Sequence, residues 1–142
     1  MGSDTRDLGG SLLSRIDPAG PLEAVLLLKR SGVHVASWMK RSAPLDVATV
    51  MAATAQASIQ TLVEALGGSG PADIIVESAG FRILFMAARP NMVLVLVGLR
   101  AIPESVLRVE ARRLLRSIDV SEAVRADAGA ASPAGARVRE GA

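Results

Sequence analysis

The feature that most constrains this chain is a long stretch without a charged residue, from Val47 to Val63. Its alanine, methionine, leucine and glutamine residues favour a helix, and Gly67-Gly68 supplies a left-handed residue to end it. A helix with one face in water should carry a strongly polar stripe, but this one offers only Thr, Ser and Gln. It is also too polar and too short to cross a membrane, which needs ~20 predominantly apolar residues. We therefore predict a helix covered on two sides, by its own domain and by another protein surface.

Composition limits the class of protein further. A length of 142 residues suits one domain. Hydrophobic residues make up 50% of the chain and aromatic residues 2%, so we predict a core of aliphatic side chains. The absence of cysteine removes disulfides, thiolate metal sites and cysteine nucleophiles. A net charge of +2 argues against bulk attraction to nucleic acid. The N-terminal residues show no secretory signal, and we predict a cytoplasmic protein.

Hydrophobic patterning predicts eight elements. In order they are a helix over Asp7–Ile16, strands over Leu22–Lys29 and Val33–Lys40, the uncharged helix, strands over Asp73–Ser78, Phe81–Ala88 and Met92–Leu99, and a helix from Pro103 to about Ile118. Short links between strands predict antiparallel hairpins. The last two strands are apolar on both alternating faces, which places them centrally with helices on both sides. The result is an α+β, three-layer fold with a five-stranded antiparallel sheet.

The ends of the helices and of the domain follow from local composition. Asp46 is expected to cap the uncharged helix with its side chain. Beyond Asp119 the chain turns to Ala, Gly, Ser, Pro and scattered charge, which favours disorder. We therefore predict one domain over residues 1–118 and a disordered tail over residues 119–142.

No catalytic, cofactor or metal site is predicted. His34 is the only histidine, without the companions that zinc requires, and is interpreted as a structural or surface residue. No serine lies in a Gly-x-Ser-x-Gly motif. Asp73 and Glu77 share a strand face, but on an edge strand such charges discourage indiscriminate pairing. We infer that the chain is not an enzyme.

A row of arginines on the last helix, Arg108, Arg112 and Arg116, leaves two interpretations open. It is either a solvated face on a core-packed helix or a surface for an acidic partner or a membrane. There is no aromatic interleaving of the kind that stacks nucleic-acid bases. The sequence assigns the row no role.

Several local motifs resemble the roadblock family, whose profilin-like fold is shared by a dynein light chain and by prokaryotic regulators of Ras-like GTPases. The motifs are AVLLLKRSGVHVASW (Ala24–Trp38), the helix start Asp46-Val47-Ala48 with MAATAQAS (Met51–Ser58), DIIVESAGFRILF (Asp73–Phe85) and NMVLVLV (Asn91–Val97). The resemblance covers roughly Leu8 to Ile118. It implies a profilin-like fold and a protein that acts by binding.

The resemblance also implies a homodimer joined through the third strands, with the second helices side by side. The interface residues it implies are Met51, Ala55, Ser58, Leu62, Ile74 and Val76. One flank of the helix, with Val50, Leu62 and Leu66 among others, would cover its own sheet, while small residues such as Ala55 and Ser58 would let a second helix approach. The alternative is a helix buried within a monomer. Residues expected to contact a partner are Lys40, Arg41, Gln56, Gln60 and Glu64.

Three functions remain open on the sequence. The first is a non-enzymatic homodimer that binds a Ras-like small GTPase and stimulates its hydrolysis by favouring one conformation. The second is a structural subunit that pairs with other roadblock or longin-like chains. The third is a profilin-like domain that senses a small ligand, although pockets of that kind hold convergent polar groups.

Overall fold

A computed structural model describes residues 9–70, 73–89 and 91–130. The elements are α1 (residues 9–13), β1 (Leu22–Lys29), β2 (His34–Met39), α2 (Leu45–Ala65), β3 (Ile74–Glu77), β4 (Phe81–Arg89), β5 (Met92–Leu99) and α3 (Glu104–Ala130). The predicted order of helices and strands is confirmed. The start of the predicted first helix and Pro90 of the predicted turn before β5 lie outside the described residues.

The five strands form one antiparallel sheet in the order β2-β1-β5-β4-β3. Aliphatic β4 and β5 are both interior strands, as their two apolar faces predicted. β5 pairs with β1 on one side and with β4 on the other. The edges of the sheet are β2 and the short strand β3.

Alternation along β1 and β5 separates two layers of core. Side chains on one face of these strands contact α1 and α3, and side chains on the other face contact α2. The first set includes Val25, Leu27, Leu94 and Leu96, and the second includes Leu26, Leu28, Val93 and Val95. Since both sets are buried, helices cover both faces of the sheet and the three-layer prediction is confirmed.

α3 is fixed to the sheet by apolar residues at helical spacing. Leu107, Ala111, Leu114 and Ile118 are fully buried, and Leu12 of α1 packs in the same cluster. The helix continues to Ala130, so its predicted end near Ile118 is wrong. The division of the chain at residue 118 stays a prediction, and residues 131–142 lie outside the described part. Among the described residues, we find no helix with the length and hydrophobicity of a membrane span.

The two ends of α2 differ in how well the sequence predicted them. Pro44 is the N-cap and no side chain caps the helix, so the prediction for Asp46 is wrong. Asp46 lies inside the first turn, where its charge favours the positive end of the helix dipole. At the other end Gly67 has φ +90°. The Gly67 N–H donates to Glu64 O and the Gly68 N–H to Val63 O, the paired bonds of a Schellman motif.

Candidate interaction surface

α2 turns its small and polar residues toward the sheet and its large apolar residues outward. The residues buried on its inner face are Thr49, Ala52, Ala53, Gln56 and Gln60. By contrast, Val50, Leu62 and Leu66 are 50%, 54% and 78% exposed. The prediction that these three cover the sheet is therefore wrong. Small residues let α2 approach the sheet closely, and this leaves its bulky side chains on the outside.

The two buried glutamines are held differently. The Gln60 side-chain amide donates to Gly70 O at 2.6 Å and to the Glu64 carboxylate at 3.3 Å. Gln56 is only 3% exposed, and its Nε2 meets no hydrogen-bond acceptor among the described residues. Both side chains face the sheet, so neither presents the exposed amide expected of a partner contact. Glu64, the third polar residue predicted there, is exposed.

An apolar groove runs between α2 and the β3 side of the sheet. It has a volume of 380 Å³, and every described residue that lines it is apolar. Three of the predicted interface residues, Met51, Ala55 and Val76, line it, with Ile83 and Phe85 of β4 as part of its floor. The groove thus joins the outer flank of α2 to the edge strand β3.

The other predicted interface residues lie around this groove. Leu62 is exposed on α2, and Ile74 is half-buried against the α2 side of the core. Ser58 is exposed, and it lines a cavity on the opposite flank of α2, beside the β1–β2 turn. The structure therefore brings Met51, Ala55 and Val76 together on one surface and leaves Ser58 at its margin.

A second groove, of 340 Å³, continues the first toward the connection between β2 and α2. The two grooves share Leu26, Ala48 and Val97, so they form one trough. Arg41 is exposed on the wall of the second groove. Lys40 is partly tied down, because its ammonium pairs with Glu23 at 3.4 Å and donates to Gly20 O at 3.0 Å.

The carboxylates near β3 are engaged in ion pairs. Glu77 lies 3.4 Å from Arg82 and 3.1 Å from Arg100. Asp73 lies 3.5 Å from Arg108, whose Nε donates to Glu104 at 2.7 Å. That hydrogen bond to Glu104 raises the pKa of Arg108, which stays charged. Asp73 and Glu77 thus act as partners of arginines, and neither is placed as a general acid or base for the other.

The remaining candidate residues form no reactive constellation. The exposed His34 imidazole shares a hydrogen bond with Ser37 Oγ at 3.0 Å. In the described ranges, no group of three or more His, Cys, Asp or Glu residues is arranged to hold a metal ion. Arg112 and Arg116 of the arginine row are exposed on α3, on the face of the sheet opposite α2.

Sequence reasoning missed the inner face of α2. Thr49, Ala53, Gln56 and Gln60 recur at spacings of four, three and four residues, which is the signal of one helical face. The signal was obscured because bulky aliphatic residues normally mark the buried face of a helix. In α2 they mark the outer face, and this inversion is the main structural reason to regard the trough as an interaction surface.

Comparison with known families and structures agrees with this architecture. The family model for the Roadblock/LC7 domain matches residues 9–98. No curated protein matches the chain significantly.

Three solved structures illustrate the likeness in fold. MglB of Myxococcus xanthus superposes with a TM-score of 0.69 at 13% identity, over 88% of this chain and 90% of that chain. The gliding protein MglB of Thermus thermophilus gives 0.65 at 19% identity, over 84% and 88%. A Roadblock/LC7 domain of Streptomyces avermitilis gives 0.66 at 17% identity, over 80% and 93%. At these identities the likeness establishes the fold.

Proposed function

The chain belongs to the Roadblock/LC7 domain family, and from that membership we propose that it is a non-enzymatic, homodimeric regulator or scaffold. In this proposal the paired α2 helices form a platform that docks a Ras-like small GTPase in the cytoplasm. The observation that carries it is the inverted α2, which exposes Met51 and Leu62 beside the apolar groove next to β3. Monomeric proteins seldom leave such a continuous apolar surface in water.

A second copy of the chain fits the trough and the β3 edge together. Among the strands that the structure describes, β3 pairs with β4 alone, so its other edge is open to another strand. A twofold axis perpendicular to the sheet would pair β3 with β3 and lay one α2 beside the other. Met51 and Leu62 of each copy would then enter the trough of its partner. Light scattering should give a mass near twice the 14.7 kDa of the chain.

The docking role assigns no chemistry to the chain itself. A platform that binds the hydrolysis-competent conformation of a GTPase more tightly shifts the population toward it and raises turnover. Arg41 is the best-placed predicted contact, since it is exposed at the end of the trough. Glu64 and Lys40 remain predicted contacts, while the burial of Gln56 and Gln60 removes them from the platform.

Co-purification of the tagged chain from its native cells, with a GTP analogue or GDP added, tests the proposal. We expect a small GTPase to be recovered preferentially in one nucleotide state. Recovery of the chain alone or with other roadblock chains, independent of nucleotide, would favour the structural-subunit alternative. The trough fits that alternative as well, because a different roadblock chain would bury the same surface.

The small-ligand sensor has less support. The two parts of the trough have volumes of 380 and 340 Å³, at the lower end of the ~300–1,000 Å³ typical of ligand pockets. However, none of the described residues that line the groove beside β3 has a polar side chain to orient a ligand. A protein surface is the better match to its chemistry.

A further inference from the structure

A polar corner lies on the flank of α2 that faces away from β3. It is built by the β1–β2 turn and by the residue that precedes β5. The Arg30 N–H donates to Asn91 O, and the Gly32 N–H donates to Lys29 O, both at 2.8 Å. Gly32 has φ +95°, a value that favours glycine. These backbone bonds fix the turn that carries the exposed side chains of Arg30 and Ser31.

Small residues of α2 leave a space beside this turn. A Cβ placed on Gly32 would lie 3.8 Å from the Ala53 Cβ, so the turn packs directly on the helix. A cavity of 270 Å³ lies beside this contact and is lined by residues of the turn and, from α2, in part by Ala53 and Ala57. A second cavity, also of 270 Å³, shares Arg30 and Ser31 and is completed by Lys29 and Asn91.

The polar groups around these cavities are hydroxyls, an amide and two cations. Ser31, Thr54 and Ser58 bring hydroxyls to the first cavity. The Thr54 hydroxyl donates to Val50 O at 2.8 Å, so Ser31 and Ser58 are the hydroxyl donors available to a ligand. Among the described residues, no carboxylate lines either cavity, and the side chains of Lys29 and Arg30 form no ion pair. Lys40, Arg82, Arg100, Arg108 and Arg113 have acidic partners, whereas Arg41, Arg112 and Arg116 resemble Arg30 in being exposed without one among the described residues. What distinguishes Arg30 is therefore the neighbouring Lys29 and the serine hydroxyls.

We infer that this corner binds a phosphate-type oxyanion. An arginine beside hydroxyl donors provides charge-assisted hydrogen bonds to such a group. Each cavity is smaller than the ~300–1,000 Å³ of a site for a drug-sized ligand, which favours a compact anion. Because two cavities meet at Arg30 and Ser31, a diphosphate reaches both, with Lys29 on its second phosphoryl group. The site lies within one protomer and depends on neither the dimer nor the GTPase.

Amide NMR titrations with inorganic phosphate and with pyrophosphate, at constant ionic strength and pH, test this inference on the full chain. We expect saturable shifts at Ser31, Gly32 and Thr54, and tighter binding of pyrophosphate than of phosphate. Arg30→Met should weaken phosphate binding at least tenfold. Arg112→Met removes an exposed arginine from the opposite face and should leave binding unchanged.

Several results would overturn the inference. They are shifts that do not saturate, equal shifts with chloride, or equal phosphate affinity in Arg30→Met and the unmodified chain. Ser58→Ala provides a second variant, since it removes one hydroxyl and keeps both cations. It should weaken phosphate binding less than Arg30→Met does. If phosphate binding were unchanged in Ser58→Ala, α2 would contribute no donor to the site. Equal affinities for phosphate and pyrophosphate would mean that the cavity lined by Lys29 is not part of the binding site.

Discussion

Gln56 and Gln60 lie one turn apart on the buried face of α2, yet their amides differ in hydrogen bonding. Gln60 donates to the backbone after the helix, and this bond ties the Gly67–Gly70 segment to α2. Gln56 buries an amide nitrogen without an acceptor among the described residues. Burying a polar group without a hydrogen bond costs free energy, whereas an apolar replacement of similar shape can be neutral or stabilising.

Replacing each of these two glutamines by methionine gives two matched predictions for the free energy of unfolding. Gln56→Met should leave the free energy of unfolding unchanged or raise it, because it removes an unsatisfied donor. Gln60→Met should lower it by ~0.5–1.5 kcal/mol, because the hydrogen bonds to Gly70 O and to the Glu64 carboxylate are lost while both acceptors stay accessible to water. Urea denaturation followed by circular dichroism measures both. Equal losses in the two variants would mean that Gln56 is hydrogen-bonded in solution.

A second prediction at this scale concerns the glycine that ends α2. Gly67→Ala should lower the free energy of unfolding by ~1–2 kcal/mol, because a side chain is strained at φ +90°. Gly10→Ala is the control, since Gly10 lies in α1 with open space around its Cα. That change should raise the free energy of unfolding by ~0.5–1 kcal/mol. Thermal unfolding that moves in the same direction for both variants would contradict the assignment of Gly67 as the helix end.

At the scale of the elements, strands were more predictable than the orientation of α2. Val93 to Leu96 alternate between two buried faces, so their aliphatic character identified β5 as central without knowledge of its neighbours. For α2, the rule that bulky aliphatic residues mark the buried face fails, because Ala52, Ala53 and Gln56 occupy that face. Bulky Val50 and Leu62 were therefore assigned to the wrong face. The Schellman motif was predictable because it depends only on local glycines.

A single charged substitution on the outer flank of α2 tests whether that flank is buried in a dimer. Ala55→Glu should split the dimer, because Ala55 lines the apolar groove and a carboxylate there would be desolvated without a partner. Thr61→Glu is the matched control. Thr61 is exposed and lies one turn after Ala57, on the flank away from β3. Light scattering should report a monomer for the first variant and a dimer for the second. A dimeric Ala55→Glu variant would place the seam elsewhere.

At the scale of the whole molecule, the sheet separates two surfaces of different character. α2 and the trough occupy one face, and α1 and α3 occupy the other. A twofold axis perpendicular to the sheet keeps the α2 helices of both copies on the same side. The proposed dimer therefore presents one continuous platform, while the exposed Arg112 and Arg116 of both copies lie behind it. Comparing a charge reversal on one face with the same reversal on the other therefore distinguishes direct contacts with the platform from effects of the net charge.

Arg41→Glu and Arg112→Glu make that comparison, because they change the net charge of the chain equally on opposite faces of the sheet. Arg41 lies at the end of the trough, and reversing its charge should weaken binding of the GTPase about tenfold, or ~1.4 kcal/mol. Arg112→Glu should leave the affinity unchanged at physiological salt, since exposed charges farther apart than ~8 Å are largely screened. Calorimetric titration of the co-purified GTPase measures both. If Arg41→Glu and the unmodified chain bound the GTPase equally well, Arg41 would not be a contact of the platform. If both variants lost the same affinity, the GTPase would be responding only to the net charge of the dimer.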